Sequence, residues 1–148
     1  MLIHEGLMLL EVQGTTKEEI IRELGQKAIE DHRIHDLEMY VKAVLKREEE
    51  YSTAVGFGVA IPHGKTDAVN EPFLAYAKVN AVDWNALDGE PVYNVFMIGV
   101  PEKEAGNAHL MILAKLSRKL MNEEFRNRLN QSSSKEEVMS LLQEYDLL

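Results

Sequence analysis

The segment from residue 55 to residue 64 reads Val-Gly-Phe-Gly-Val-Ala-Ile-Pro-His-Gly and lies between a helical first third and a strand-rich middle of the chain. Val59-Ala60-Ile61 is a β-like run that we expect to stop at Pro62, because proline cannot donate to a sheet ladder. The fixed φ of Pro62 also sets the direction of the chain that leaves it. Gly64 lets the backbone turn away and leaves no side chain beside the imidazole. His63 is therefore predicted to project from the end of a strand, where open sheets commonly place their sites.

On both sides of this segment the apolar pattern alternates between helical and strand periods. Capping-box spacing at Thr16 and a possible cap at Asp36 predict two helices before it. Strands are predicted at three places: residues 7–12, 73–79 and 92–100, the last of these apolar enough for a central strand. After a turn at Asp88-Gly89, the last third is again helical, with a leucine stripe from 110 to 120 and caps at Asn122 and Ser134. This order predicts an α/β or α+β chain, and we favour a three-layer helix–sheet–helix sandwich.

Composition limits the classes of function. The 148 residues, 45% of them apolar, suit one domain spanning 1–148, and no apolar run approaches the ~20 residues of a bilayer span. The absence of cysteine excludes thiolate metal sites and cysteine nucleophiles, and the N-terminus lacks a secretory signal, so a cytoplasmic location is expected. The formal charge of −9 argues against nucleic-acid binding. Such a charge favours a basic protein partner, or only keeps the protein in solution.

The chemistry that fits His63 is nucleophilic. The 55–64 segment lacks the third glycine of a dinucleotide-binding loop and the Lys-Ser/Thr of a P-loop. A neutral imidazole, however, can attack phosphorus and carry a phosphoryl group as a phosphoramidate. The alternative is that a histidine after Ile-Pro is only a turn residue.

Four further residues could support such a site. His109 begins the leucine-rich helix, on the stripe that faces the sheet and near free backbone donors. Arg47 could hold phosphate oxygens with its guanidinium fork, and Ser52 and Thr53 could donate hydroxyl hydrogen bonds. Taken alone, His109 also suits a hydrogen-bonded core histidine and Arg47 a solvated helix end.

Metal binding is the weaker hypothesis. His4, His32 and His35 are interpreted as surface residues without a role. The His32/His35 pair lies beside Asp31 and Asp36, but the sequence fixes no third ligand. A metal hydrolase using His63 and His109 with Asp67 or Glu104 is a third possibility, although its spacing matches no metal-site pattern.

The same residues carry a resemblance to a known family. Arg47-Glu48, six residues, and then Val55-Gly56-x-x-Val59-Ala60-Ile61-Pro62-His63-Gly64 is similar to the phosphorylation-site signature of the type-2 enzyme IIA domains of the phosphoenolpyruvate-dependent sugar phosphotransferase system, the mannitol/fructose group. The likeness continues through Asp83-Trp84 and Asp88-Gly89 to His109-Leu110.

The resemblance implies a mixed sheet between helical layers and a phosphorylated His63. In the family this histidine accepts a phosphoryl group from the phosphocarrier protein HPr and passes it to enzyme IIB, upstream of the membrane component IIC. His109 then matches the second site histidine, Arg47 matches the arginine near the phosphate, and Thr53 is a candidate phosphate ligand. Neither a metal nor an organic cofactor is implied. We expect a fructose-type sugar component, the alternative being a regulatory, nitrogen-type paralogue or a regulator module that signals by binding protein targets.

Overall fold

Within residues 1–104 and 107–147, which the computed structural model describes (the side chains of 108 and 109 excepted), the protein contains five α-helices and six β-strands. A 3-10 turn at Glu5–Leu7 precedes the first strand. The helices are α1 (Lys17–Glu30), α2 (Leu37–Glu50), α3 (Ala108–Leu120), α4 (Glu123–Gln131) and α5 (Lys135–Glu144). The strands are β1 (Met8–Leu9), β2 (Ala54–Gly56), β3 (Val59–Ala60), β4 (His63–Lys65), β5 (Phe73–Val82) and β6 (Val92–Val100). None of the described helices is both long and apolar enough to cross a bilayer.

The strands form one mixed sheet in the order β1-β5-β6-β3-β2, and β4 pairs with the second half of β6. The long β5–β6 pair and the short β2–β3 pair are antiparallel, whereas β1 runs parallel to β5, and β3 and β4 run parallel to β6. β6 contacts three other strands and is buried at all but one of its nine positions. This burial agrees with its almost wholly apolar sequence, which predicted a central strand.

The helices cover both faces of this sheet. The Phe73 ring of β5 packs against Tyr40 of α2, with ring centroids 5.7 Å apart. The next residue, Leu74, lies with Ile112 and Leu116 of α3. Because consecutive side chains of a strand point to opposite faces, α2 and α3 lie on opposite sides of the sheet. The predicted three-layer sandwich with a mixed sheet is confirmed.

The helix starts follow the caps that the sequence predicts. The side-chain oxygens of Thr16, Asp36, Asn122 and Ser134 each accept a hydrogen bond from the backbone N–H three residues later. Thr16 forms a complete capping box with Glu19. These interactions satisfy N–H groups that have no partner inside the helix, so local sequence was sufficient to place these ends.

Strand boundaries were predicted less well. The strand expected at residues 7–12 is only β1, because Leu7 belongs to the 3-10 turn and, in the described ladder, only Met8 and Leu9 pair with β5. β2 was not predicted at all. It forms a hairpin with β3 through Phe57 and Gly58, which both have positive φ, as a two-residue type I′ turn requires.

The side chain of buried Arg33 connects the N-terminus to the end of α1 through hydrogen bonds. Arg33 donates to the backbone carbonyls of Met1 and Pro72 and to the Asp31 carboxylate. His4 Nε2 donates to the other Asp31 oxygen at 2.7 Å, and its Nδ1 accepts from the N–H of Gly6. His4, which was expected to be a surface residue without a role, is partly exposed, and its ring connects two separate segments.

Because these hydrogen bonds include the Asp31 carboxylate, they are sensitive to acid. Burial alone would raise the pKa of the Asp31 carboxyl, but the hydrogen bonds from His4 and Arg33 outweigh burial and hold the pKa below its ordinary value. Such a group contributes its full stability above the unfolded-state pKa and loses it as the pH falls through the folded-state pKa. We expect Asp31→Asn to lower the free energy of unfolding by about 1–2 kcal/mol at pH 7. In urea titrations from pH 7 down to pH 3, this difference should shrink below about pH 4. A difference that stays constant across that range would contradict the prediction.

Candidate functional site

His63 begins a new strand instead of ending one. β3 pairs with Asn94 and Val95 of β6, and β4 then pairs with Ile98–Val100 further along the same strand. Pro62 lies between the two pairings, where its carbonyl accepts from the N–H of Ile98 at 2.9 Å. The prediction that the strand stops at Pro62 is confirmed, and the missing proline N–H falls in the gap between the two pairings. His63 is therefore fixed by the sheet on its C-terminal side as well.

Among the described residues, one nitrogen of the His63 imidazole has a hydrogen-bond partner. Its Nδ1 lies 2.9 Å from the carbonyl oxygen of Ile61. A carbonyl oxygen can only accept, so Nδ1 carries the proton in this contact, and the neutral ring has its lone pair on Nε2. The ring is half-buried, and Nε2 is the nitrogen left to act as nucleophile or acceptor.

His63 lies in a cleft of about 600 Å³ between α2, β4 and the start of α3. Three cationic side chains line this cleft: Lys46, Arg47 and Lys65. Among its described lining residues Glu50 is the single carboxylate, although the whole chain carries a formal charge of −9. The cleft is thus a locally cationic surface on an acidic protein, which favours an anionic group beside the histidine.

Arg47 lines the same cleft as His63. Its Nη1 donates to the carbonyl oxygen of Tyr51 at 2.9 Å, and its guanidinium lies 4.1 Å from the centre of the Tyr51 ring. The Glu50 carboxylate lies 4.0 Å from Nε. These contacts hold the guanidinium at the end of α2 and leave further N–H donors for an anion in the cleft.

Two lysines of the cleft were missed from sequence. Lys65 follows His63 by two residues on β4, so the alternation of a strand places both side chains on the same face. The alternation of strand side chains could have indicated Lys65, but only once it was known that a strand begins at His63. Lys46 lies in a charged run at the end of α2, and sequence alone gives no reason to single it out as a site residue among the neighbouring charged side chains.

His109 is the second residue of α3, and its side chain lies outside the described residues. The neighbouring Leu110 and Leu113 line the cleft with His63, so the first turns of α3 border the site. The leucine stripe was predicted to face the sheet throughout. Only its later members do so, since Leu116 and Leu120 are buried whereas Leu110 is 49% exposed.

The hydroxyls of Ser52 and Thr53 bond to residues outside the cleft. Thr53 is buried, and its hydroxyl donates to the Glu48 carboxylate and accepts from the indole N–H of Trp84. The Ser52 hydroxyl donates to the carbonyl oxygen of Trp84. Within the described part of the chain, neither residue is among those that line the cleft.

Gly64 has a different role from the one its sequence context suggested. It lies inside β4 and its φ is not among the positive values, so no turn requires a glycine here. A Cβ at this position would lie 3.0 Å from Cγ2 of Val44 and 3.4 Å from Cε1 of Tyr40. The glycine therefore allows α2, which carries Arg47, to pack directly on β4.

We expect Gly64→Ala to move α2 away from β4 by a few tenths of an ångström and to cost about 1–2 kcal/mol of folding stability. The added methyl collides mainly with Val44. Urea denaturation of Gly64→Ala, Val44→Ala and the double variant tests this, because the double variant should lose less stability than the sum of the two single losses. Simple additivity of the losses would show that this contact does not set the spacing.

No group of three or more His, Asp or Glu side chains that could hold a metal ion lies together in residues 1–104 and 107–147, so far as their side chains are described. His35 Nε2 instead contacts the backbone carbonyl of Asp67, and His32 is an exposed residue with φ of 59°. The His32/His35 hypothesis therefore finds no support among the described side chains, whereas the metal-hydrolase hypothesis includes His109, whose side chain lies outside them.

Comparison with known proteins agrees with this geometry. The chain is 42% identical over 139 residues to the fructose-specific EIIA component of the PTS system from Haloferax volcanii, a match that covers 93% of this chain and 90% of that protein. The crystal structure of the nitrogen regulatory protein IIA-Ntr from Neisseria meningitidis superposes with a TM-score of 0.85 at 30% identity, covering 95% of this chain and 96% of the other. The complex of enzyme IIA-Mtl with phosphorylated enzyme IIB-Mtl from Escherichia coli matches with a TM-score of 0.80 at 26% identity, covering 95% and 96%.

The family signature covers nearly the whole chain. Residues 1–145 match the family described as "Phosphoenolpyruvate-dependent sugar phosphotransferase system, EIIA 2". The resemblance inferred from the segment around His63 is therefore confirmed. The protein belongs to the type-2 EIIA family of the phosphoenolpyruvate-dependent sugar phosphotransferase system and is a phosphotransferase component of that system.

Proposed function

We propose that this chain is a phosphoryl carrier that accepts a phosphoryl group from phospho-HPr on His63 Nε2 and passes it to an enzyme IIB. The observation that carries the proposal is the pairing of a histidine whose Nδ1–H is bound to Ile61 with a cleft lined by three cations. The first feature leaves the Nε2 lone pair free for attack. The second offsets the charge of the phosphoryl oxygens that the attack brings in.

The transfer would proceed by in-line displacement. The Nε2 lone pair of His63 forms a bond to phosphorus while the bond between phosphorus and the donor imidazole breaks, and that electron pair returns to the donor ring. The positive charge that develops on His63 is stabilised at Nδ1–H by the Ile61 carbonyl. Lys46, Arg47 and Lys65 are placed to hold the equatorial oxygens. The reverse sequence of steps delivers the group to IIB.

Of the two remaining site residues, one is kept in the proposal and one is not. His109 stays a proposed supporting residue, because the first turns of α3 border the cleft. Thr53 is not proposed as a direct phosphate ligand, because its hydroxyl proton is already donated to Glu48. Any effect of Thr53 on phosphoryl transfer is therefore indirect, through the positioning of another residue.

The partners are inferred from relatives and from charge. A related IIA is known in a complex with phosphorylated IIB, and the 42% identical relative is fructose-specific. We therefore propose HPr as donor and a fructose-type IIB, upstream of a membrane IIC, as acceptor. The acidic surface outside the cleft suits a donor with a basic face.

A labelling reaction tests the carrier function. The purified chain is incubated with ³²P-phosphoenolpyruvate, enzyme I and HPr, and reactions lacking HPr serve as the control. Acid-labile label on the chain that requires HPr is the expected result. An unlabelled chain in a reaction where HPr itself is labelled would overturn the proposal.

A regulatory role is the second candidate, favoured by the TM-score of 0.85 to a nitrogen regulatory IIA. Both roles begin with the same phosphohistidine and differ in the fate of its phosphoryl group. Adding unlabelled fructose-type IIB to the ³²P-labelled chain separates them. Loss of label from the chain within minutes supports the sugar carrier, whereas retention of the label supports the regulatory role.

A further inference from the structure

Glu48 is a buried carboxylate that plays no part in the proposed transfer steps. It lies in the last turn of α2, next to Arg47, and its side chain is only 2% exposed. An acidic residue is unfavourable at the C-terminal end of a helix, because it faces the negative end of the helix dipole. Burial of the charge adds a desolvation cost, so the position needs strong compensating contacts.

Those contacts come mainly from Thr53. Its backbone N–H donates to Oε1 of Glu48 at 3.2 Å, and its hydroxyl donates to Oε2. The indole N–H of Trp84 donates to the same hydroxyl at 3.2 Å, and Lys17 Nζ lies 3.7 Å from Oε1. Glu48 thereby fixes both the backbone and the side chain of Thr53.

Thr53 is in turn connected to the functional histidine by two hydrogen bonds. The carbonyl oxygen of Thr53 accepts from the N–H of Ile61 at 3.0 Å. The carbonyl oxygen of Ile61 accepts from Nδ1–H of His63 at 2.9 Å. A continuous path therefore runs from Glu48 through Thr53 and Ile61 to the imidazole nitrogen whose protonation selects the tautomer.

We propose that Glu48 is a positioning residue that holds the Ile61 carbonyl in place through Thr53, and so keeps His63 in the tautomer with its lone pair on Nε2. Its effect on phosphoryl transfer rests on the proposed function, whereas its effect on the tautomer does not. Hydrogen-bonded partners that orient functional histidines in this way are common around metal-bound imidazoles, and their loss there costs roughly 10–100-fold.

The test compares three substitutions with a matched control. Glu48→Gln keeps the shape but presents an amide N–H group to one of the Thr53 donors, so one hydrogen bond is lost. Thr53→Val removes the hydroxyl, whereas Thr53→Ser retains it. Glu23→Ala is the control, because Glu23 also accepts from loop N–H groups, those of Gln13 and Gly14, but has no connection to His63.

The first readout is the tautomer of His63 in the unphosphorylated protein, measured from ¹⁵N chemical shifts of the imidazole at a pH where the ring is neutral. We expect Glu48→Gln and Thr53→Val to increase the population protonated on Nε2, while Thr53→Ser and Glu23→Ala keep the wild-type ratio. A wild-type ratio in both Glu48→Gln and Thr53→Val would overturn the proposal. Far-ultraviolet circular dichroism and thermal unfolding show whether each variant is folded.

The second readout is the rate of label transfer from phospho-HPr. We expect Glu48→Gln to slow transfer on the order of tenfold, with little change in the HPr concentration at half-maximal rate. A normal rate in a variant with an altered tautomer would overturn the catalytic part of the inference. If wild-type protein takes no label, the proposed function fails, and the tautomer measurement still decides whether Glu48 positions His63.

Discussion

Replacing His63 with glutamine is expected to reduce acid-labile label from phospho-HPr to background. The glutamine amide can still donate a hydrogen bond to the Ile61 carbonyl, but it carries no lone pair on nitrogen that can attack phosphorus. The side chain is half-buried at the start of β4 and similar in size, so the fold should be retained. The measurement is ³²P incorporation over a time course, with thermal unfolding to confirm the fold.

His35→Gln is the matched control for that variant. His35 is exposed, and its ring nitrogen contacts the backbone carbonyl of Asp67, away from the cleft residues described above, so incorporation should equal that of wild type. Acid-labile label at wild-type level on folded His63→Gln would show that another residue is the acceptor.

Replacing Arg47 with methionine is expected to slow phosphoryl transfer about 100-fold, the usual cost of removing one preorganised donor from a site where negative charge accumulates. The guanidinium is held at the cleft by the Tyr51 carbonyl and ring, so it needs little reorganisation to meet a phosphoryl group. Methionine keeps the apolar stem of the side chain without the guanidinium charge. The rate is measured under single-turnover conditions with excess phospho-HPr.

Two further variants show whether the effect belongs to the cleft. Arg47→Lys should recover part of the rate, because an ammonium supplies charge without the planar fork. Arg22→Met removes a guanidinium that pairs with Glu18 and Glu38 away from the cleft, so it should transfer at the wild-type rate. A rate for Arg47→Met within threefold of wild type would mean that Arg47 only caps the end of α2.

Local patterns predicted much of the fold. Thr16, Asp36, Asn122 and Ser134 cap helices because each accepts from an N–H three residues away, an interaction contained in its own segment. The boundaries of β6 were predicted correctly from its continuous apolar run. β2 and β4 were missed because each has only three residues, too few to show a period, and each owes its conformation to a neighbouring strand.

The site was predicted in part. His63 and Arg47 stand out in the sequence because a family signature contains them, and the structure brings them into one cleft. The predicted role of Gly64 as a turn residue was wrong, since what it avoids is contact with Val44, twenty positions earlier in the sequence. A contact between residues twenty positions apart in sequence cannot be predicted from a local sequence pattern.

The sequence by itself therefore determined the family, four of the helix starts, the central strand and the histidine that we propose as the phosphate carrier. Only the tertiary structure decided which nitrogen of that histidine is free, which cations surround it and why a carboxylate is buried behind it. The reason is that these properties depend on how separate segments come together, such as Thr53 bonding to Ile61, and Lys46 of α2 lining the same cleft as Lys65 of β4. Such contacts exist only once α2 packs on the sheet, where the hydroxyl of Tyr40 donates to the carbonyl oxygen of Ile98, fifty-eight residues away.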